Sequence, residues 1–597
     1  MFDLIKSFKL ILAKDDFKKL ISMSVVLTLV ACIEVGGLAT IAFLVLNLEN
    51  LGSALIDIPF LNYLLAFFKI SEEYILILFC SLIIFYSLFS ILLSTISIRR
   101  ISIFSEMMGA KIKTSLLKHF LSLEWSVFLQ SQSSKNISRV IHDGDVVADI
   151  INFFMNLLNK TILALIITTA LFFFNASLTF WLATILAFSY IVIFYLFKAS
   201  TKKNSLKITQ YMDTTLAIVT NMFGSFKEII FYNHEDRVLS NFKKVDSERA
   251  KLKGINMSMA LMPRFFIDSV LLMMLVIASI FVTFNGSSTS SFFATLSVYG
   301  IAALKLLPAF QNIFYFSYEI FARLPHLKNV TSLLAHPSDF KKDPNIEKGE
   351  ADNTLLSEIS FENVSFAYKK SNKQSLKNLS LKIKKGKKIA VVGPTGSGKS
   401  TFVDLLLGML EPDSGSIRLD NNILFADVFK SYRKNFSYVP QKIFFLEDTL
   451  RNNITFGSSE DIHQETFDQA ISDSCLINLI EELPKGIETP ISDSNQMVSG
   501  GQKQCIGIAR ALYRGGDILI LDEATSGMDA ELEENIYENI FNSNFKTIIC
   551  ITHKSSLLDR FDEIVVFNNG QIEASGSYKE LIGKSEFFRT LSDKQSH

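Results

Sequence analysis

From residue 161 to residue 197 the chain carries no charged side chain. A bilayer core is crossed by about 20 apolar residues, so this run is too long for one span. Its middle reads Phe174-Asn175-Ala176-Ser177, a polar break of the kind that turns a chain. The economical reading is two spans joined by a tight turn. The same pattern recurs over 269–304, with Asn285-Gly286-Ser287-Ser288 as its turn. Two further apolar stretches, 21–47 and 74–98, bring the expected total to six spans. With 49% of the 597 residues hydrophobic and 20% charged, against roughly 25% charged in soluble chains, a chain soluble throughout is excluded. The 59 Lys and Arg balance 59 Asp and Glu, so nothing in the bulk charge points to nucleic acid as a partner.

Loop charge sets the orientation. The segment between spans two and three carries Arg99, Arg100, Lys111, Lys113 and Lys118, and that between spans four and five carries Lys202, Lys203, Lys207 and Lys227. The two turns carry no positive charge. Positive loops stay inside, so both termini and both long loops are expected in the cytoplasm, where their helical periodicity continues the membrane helices. Residues 1–20 read as an amphipathic helix on the inner surface. The segment 59–68 reads as a second such helix outside, or as a simple loop. Five cysteines share no short spacing, which argues against a zinc site or a disulfide framework; Cys32 and Cys80 lie in apolar stretches and read as buried thiols. The expected organisation is a membrane α-helical domain over 1–335, a polar linker over 336–355, and an α/β P-loop nucleotide-binding domain over 356–597.

The chemistry lies in the second part. Gly393-Pro394-Thr395-Gly396-Ser397-Gly398-Lys399-Ser400 follows the apolar strand 389–392 and opens a helix at Thr401. In that setting the glycines let backbone N–H groups curl around phosphates, Lys399 reaches the β/γ oxygens, and Ser400 ligates Mg²⁺. ATP and Mg²⁺ are therefore expected. Downstream, the apolar strand 518–521 ends in Asp522-Glu523. Asp522 is placed to hold the metal through water, and Glu523 to polarise the attacking water.

Between these motifs stands Val498-Ser499-Gly500-Gly501-Gln502, which resembles the signature of ATP-binding cassette proteins. The resemblance implies further roles. Tyr368 is similar to the aromatic that stacks on adenine. Gln441, after Tyr438-Val439-Pro440, is similar to the glutamine that couples nucleotide to the membrane domain and approaches the metal. Ser526-Gly527-Met528-Asp529 resembles the D-loop, and His553 the switch histidine. In this family the signature closes over ATP held by a second cassette, with Ser499 and Gly501 acting in trans. One chain has one cassette, so a dimer is implied, and an intact signature with an intact Glu523 implies a homodimer. Cys505 stands where many members have Arg, and Val498 and Met528 replace Leu. The six spans, long cytoplasmic helices and following cassette resemble the exporter branch, with residues 128–145 and 226–235 similar to its two coupling regions.

Ionisable residues within spans are candidates for function because burying them in lipid is costly. Here they are Glu34, Lys160, Arg264, Asp268 and Lys305. Arg264 and Asp268 stand four apart, so they either neutralise each other or serve a ligand; Lys160 is within reach of the interface by snorkelling. Lys305 is followed by Pro308, which weakens the helix there. Short motifs around Leu12-Ala13-Lys14-Asp15-Asp16, Ile33-Glu34, Met262-Pro263-Arg264 and Leu304-Lys305-Leu306-Leu307-Pro308 resemble the bacterial lipid-linked oligosaccharide flippases. That resemblance implies an isoprenoid-pyrophosphate glycan as cargo, Arg264 and Lys305 as its ligands, and the bacterial inner membrane as the location. An anionic lipid, a peptide or an amphipathic drug suits the same residues. An ATP-gated channel or regulatory membrane protein is the alternative class.

Overall fold

The computed structural model describes residues 2–46, 72–284, 289–335, 357–368, 373–420, 422–423, 432–456, 462–492 and 498–593. The expected outer segment 59–68, the turn 285–288 and the linker 336–355 lie outside these residues. The chain divides into two compact units: Met1–Leu123 with Leu129–Lys341, and Glu124–Phe128 with Lys342–His597.

The first unit is helical. Its elements, with one short helix that the second unit claims, are α1 (Phe2–Ile11), α2 (Lys14–Leu46), α3 (Glu72–Leu121), α4 (Trp125–Leu129), α5 (Ser133–Ser138), a π-helical turn (Arg139–Asp143), α6 (Gly144–Phe174), α7 (Ala176–Gly224), α8 (Phe226–Phe231), α9 (Glu235–Leu261), α10 (Pro263–Phe284) and α11 (Thr289–Ala335). Among the described residues, Lys14–Val45, Leu76–Leu121, Ser133–Phe174 and Ala176–Gly224 are long and apolar enough to cross a membrane. The other two expected spans fall in α10 and α11. The turn at the middle of the uncharged run is a single residue. Asn175 is extended, and its side chain accepts the Leu178 N–H at 3.1 Å, which caps α7. The long loops are helical as expected: α3 runs on to Leu121 and α7 to Gly224.

Two expectations need correcting. The apolar face of the N-terminal helix is not a surface stripe. Leu4, Phe8 and Leu12 repeat every four residues and are buried in the same core as Leu116 and Phe154, with the Phe8 and Phe154 rings 5.5 Å apart. From Lys14 onward the chain already belongs to the first spanning helix. Cys32 is exposed and Cys80 half-buried, whereas Cys505 and Cys550 are buried. An apolar residue on a spanning helix meets lipid at no hydrophobic cost, so burial is not forced there. The row Ile84, Phe85, Leu88 and Ile91 is exposed for the same reason.

The second unit is layered α/β. Its strands are β1 (Glu358–Phe366), β2 (Leu376–Lys384), β3 (Lys388–Val392), β4 (Ser414–Leu419), β5 (Asn422–Ile423), β6 (Phe436–Val439), β7 (Asp448–Thr449), β8 (Pro490–Ile491), β9 (Ile518–Asp522), β10 (Thr547–Ile551), β11 (Glu563–Asn568) and β12 (Gln571–Gly576). Six of them form a sheet in the order β12-β11-β3-β10-β9-β6, parallel except for the β12 edge. An antiparallel sheet, β2-β1-β4-β5, is separate from it. Successive side chains on a strand point to opposite faces, and the central strands supply both cores at once. Ile389 and Val391, Ile518 and Ile520, and Ile549 and Ile551 enter one core. Ala390 and Val392, Leu519 and Leu521, and Ile548 and Cys550 enter the other. Burial on both faces is why these strands read as unbroken apolar runs, and it places their C-terminal ends together where the motifs begin.

Candidate nucleotide site

The loop after β3 leads into α12 (Lys399–Leu406). Gly393 and Gly398 have φ of 154° and 105°, in the region that favours glycine. A Cβ on Gly393 would strike the Phe567 carbonyl, and one on Gly398 would lie 2.8 Å from the Ser375 carbonyl oxygen. The loop is thus wedged between two other segments and has room only for backbone. Lys399 is buried, and its Nζ donates to the Gly393 and Pro394 carbonyls at 2.7 and 3.1 Å. Burial lowers its pKa, opposed by the charges of Glu523 and Asp522. An ammonium held this way on a loop of glycine backbone has both the charge and the reach for a phosphate. The Ser397 hydroxyl is buried without a hydrogen-bond partner among the described residues.

β9 delivers the carboxylates. The Asp522 carboxyl accepts from the Tyr438 hydroxyl at 3.4 Å, and burial, then Glu523, pushes its pKa up. Glu523 has φ of 49°, a left-handed conformation that costs a residue with a Cβ about 1–3 kcal/mol. Its N–H donates to the Ile551 carbonyl at 3.0 Å, tying the end of β9 to β10. The turn aims its carboxylate: Gln441 Nε2 donates to Oε2 at 2.6 Å, and His553 Nε2 lies 3.1 Å from Oε1. These three residues come from three separate segments and meet on one carboxylate.

Thr395, Gly396, Gly398, Lys399, Ser400, Thr401, Gln441, Glu523 and His553 line one cleft of about 530 Å³, a size suited to a small-molecule ligand. Gly393, Pro394 and Ser397 form the loop beneath it. Tyr368 and Asp522 are not among the lining residues. The Tyr368 hydroxyl lies 3.4 Å from Thr401 Oγ1, and its ring packs edge-on to Phe366 at 5.1 Å. Lys373, Gln374, Ser375, Asn569 and Gly570 also line the cleft, and the motifs gave no notice of them. Asn569 and Gly570 both have positive φ, forming the Asn-Gly hairpin turn between β11 and β12, and Gly570 N–H donates to the Ser397 carbonyl at 3.0 Å.

Ser499, Gly500, Gly501 and Gln502 are not in the cleft's lining. They start α13 (Gly500–Arg514), where the Ser499 and Gln502 side chains exchange hydrogen bonds with each other's backbone N–H, at 3.3 and 2.8 Å. A capped helix N-terminus offers N–H groups and positive potential to an anion. Gln504 holds the neighbouring Ser526-Gly527 segment, donating to Ser526 Oγ at 3.0 Å and accepting the Gly527 N–H at 2.9 Å.

In the first unit, Arg264 Nε stands 4.0 Å from Asp268 Oδ2, and Gln311 donates to the other Asp268 oxygen at 2.7 Å. Lys305 is exposed and forms no ion pair among the described residues. Glu34, another acid within the spans, accepts from the Ser94 hydroxyl at 2.5 Å.

Residues 376–526 match the ABC transporter family, and residues 38–310 match the ABC transporter transmembrane region. The chain is 30% identical over 400 residues to the ATP-dependent lipid A-core flippase of Idiomarina loihiensis, covering 66% of this chain and 67% of that one. It is 28% identical to the lactococcin-G-processing and transport ATP-binding protein LagD of Lactococcus lactis, covering 85% of this chain and 72% of that one. Its fold superposes on a bacterial Atm1-family ABC exporter solved with ATP bound, at a TM-score of 0.80, 19% identity and 98% coverage of both chains. Spanning helices, a phosphate loop opposite a positioned glutamate and matches to both halves lead to one conclusion: the chain is an integral membrane ATPase of the ABC transporter family, with the exporter fold.

Proposed function

We propose that the protein works as a homodimer in the bacterial inner membrane, with both termini in the cytoplasm, and flips a lipid bearing an anionic glycan head group, of the isoprenoid-pyrophosphate oligosaccharide class. The observation that carries the cargo reading is Lys305, a cation in α11 that forms no ion pair among the described residues. Arg264 shares Asp268 with Gln311 and has charge to spare. A pyrophosphate satisfies both cations, and burial away from water strengthens the attraction. The lipid A-core flippase among the relatives supports a lipid cargo; the lactococcin-G transporter supports a peptide as the second reading.

On the ATPase side, the proposed roles follow from position. Backbone N–H groups of residues 395–398 cradle the phosphates, Thr401 and Ser400 continue the contact, and Lys399 exchanges its two carbonyl partners for phosphate oxygens. Tyr368 takes the adenine. Ser400, Gln441 and Asp522 offer a hydroxyl, an amide and a carboxylate, an oxygen donor set that suits Mg²⁺; the ion would neutralise phosphate charge. Glu523, fixed by Gln441 and His553, accepts the proton of the attacking water. Ser499, Gly500, Gly501 and Gln502 bind the ATP of the second copy, since within one chain they do not line the cleft.

The test is transbilayer movement in sealed proteoliposomes, with three fluorescent cargoes offered separately: an isoprenoid-pyrophosphate oligosaccharide, a lipid A-core glycolipid and a cationic peptide. ATP-dependent flipping of the first that is lost in Lys305→Ala supports the reading. Movement of the peptide alone overturns it.

A further inference from the structure

Just past the end of β10, two neighbouring residues take different partners. His553 is exposed, lines the cleft and reaches Glu523. Lys554, extended at φ −90° and ψ 123°, turns its ammonium to a buried carboxylate instead. Its Nζ donates to Glu533 Oε2 at 2.6 Å and to the Thr525 carbonyl at 3.2 Å. The Thr525 hydroxyl donates to the other carboxylate oxygen, Glu533 Oε1, at 2.5 Å. Three residues thus close a ring, in which Glu533 and Thr525 are 5% and 3% exposed. Glu533 stands on α14 (Ala530–Phe541). One turn further along that helix, buried Tyr537 places its hydroxyl 3.1 Å from the sulfur of Cys550 in β10, so α14 is tied to the β10 segment twice. Thr525 belongs to the turn that Glu523 begins: the Ser526 N–H donates to the Glu523 carbonyl and the Met528 N–H to the Thr525 carbonyl, both at 3.2 Å. The ring therefore lies two residues beyond Glu523 on one side and one residue beyond His553 on the other.

We propose that Lys554 and Glu533 are positioning residues for ATP hydrolysis: their ion pair, closed through Thr525, holds the His553 segment against the Glu523 turn and so keeps the imidazole on the carboxylate. The His553 ring is exposed, so packing around it does little to fix it, whereas a tie through the next residue does. A buried ion pair is often worth no more to stability than apolar residues of the same volume; what it offers here is a fixed distance. The inference rests on Glu523 accepting the proton of the attacking water and is independent of which cargo is carried.

The test measures ATPase rate and melting temperature of the full chain in nanodiscs, with rates taken well below melting. Lys554→Met removes the ammonium and keeps most of the side chain's length. It should lower basal kcat about tenfold while KM for ATP stays within about twofold, since a misplaced reacting group slows the chemical step without loosening the nucleotide. Lys554→Arg keeps the charge and should recover most of that rate. The deciding variant combines Lys554→Met with Glu533→Gln, and it keeps the test open if Lys554→Met alone does not fold. With no unpaired buried charge its melting temperature should return toward wild type, while kcat stays low because the tie between the two segments is still missing. Recovery of kcat together with the melting temperature, wild-type kcat in Lys554→Met, or no rescue by Lys554→Arg would make the pair a packing element only and overturn the proposal. Glu523→Gln beside them separates two failures. If it is inactive while the Lys554 variants turn over normally, the positioning role alone falls; if it turns over normally, the role of Glu523 falls and this proposal with it.

Discussion

The two units solve opposite solvation problems. The cassette is apolar inside: Ile389 to Val392 and Ile518 to Leu521 are almost wholly buried, and its polar chemistry sits at strand ends. The membrane unit is apolar outside and keeps a polar seam within. Thr201 bonds Tyr318 at 2.7 Å, Asn204 bonds Asn256 at 3.0 Å, and buried His326 bridges Asp143 at 2.6 Å and Thr209 at 3.1 Å. In the first case a polar residue at an apolar strand's end stands out as chemistry. In the second, a polar residue among apolar ones is as often a helix-to-helix tie as a ligand. That difference explains why the hydrolytic site follows from motifs while the cargo site rests on single charges.

The largest expected effect lies in the cassette. Glu523→Gln should bind ATP but hydrolyse it about 10²–10⁴-fold more slowly, read by phosphate release from purified protein; near-normal turnover would remove Glu523 as the base. Lys399→Ala removes a phosphate contact instead, so nucleotide affinity itself should fall about 10–100-fold, measured by fluorescent-ATP titration. In the membrane unit the matching experiment is Asp143→Ala, which leaves His326 and Asn329 without their acceptor. It should cost about 1–3 kcal/mol, seen as a lower melting temperature with nucleotide affinity unchanged. A stable Asp143→Ala protein that loses flipping would instead make the seam part of the transport path. Lys305→Ala should retain basal ATPase and its melting temperature and lose the stimulation by cargo, a few-fold effect.

The smallest expected effect concerns pH. Asp404 has its pKa raised by burial from 3.8 to about 6, so the folded state holds this proton more tightly than the unfolded chain. The resulting contribution favours folding below about pH 4 and is lost as pH rises through about 6. Asp404→Asn should therefore flatten the pH dependence of the melting temperature between about pH 4 and 6. An unchanged profile would show that the carboxyl is already ionised throughout.

How much of this was legible in the sequence follows the same division. The phosphate loop announced itself because its glycines, lysine and serine need fixed places after a buried strand, and the structure places five of its residues in the cleft. Asn175 was legible as a turn because nothing else breaks the uncharged run. The lining residues Gln374 and Asn569 were not legible, since an Asn-Gly hairpin turn looks the same wherever it lies in a fold. The N-terminal stripe of Leu4, Phe8 and Leu12 showed a helix face without showing whether lipid or protein covers it.

The central proposal is that one chain holds only half of each hydrolytic site, because Ser499 and Gly501 are not among the residues that line the cleft with Lys399 and Glu523. Nucleotide trapping in hybrid dimers tests it most directly. Chains with Lys399→Ala and chains with Ser499→Arg are each expected to trap no nucleotide with vanadate. In a hybrid of the two, both lesions fall in one composite site and the other is intact, so trapping should return to about half the wild-type level. Trapping no higher than in either parent would contradict the two-chain site.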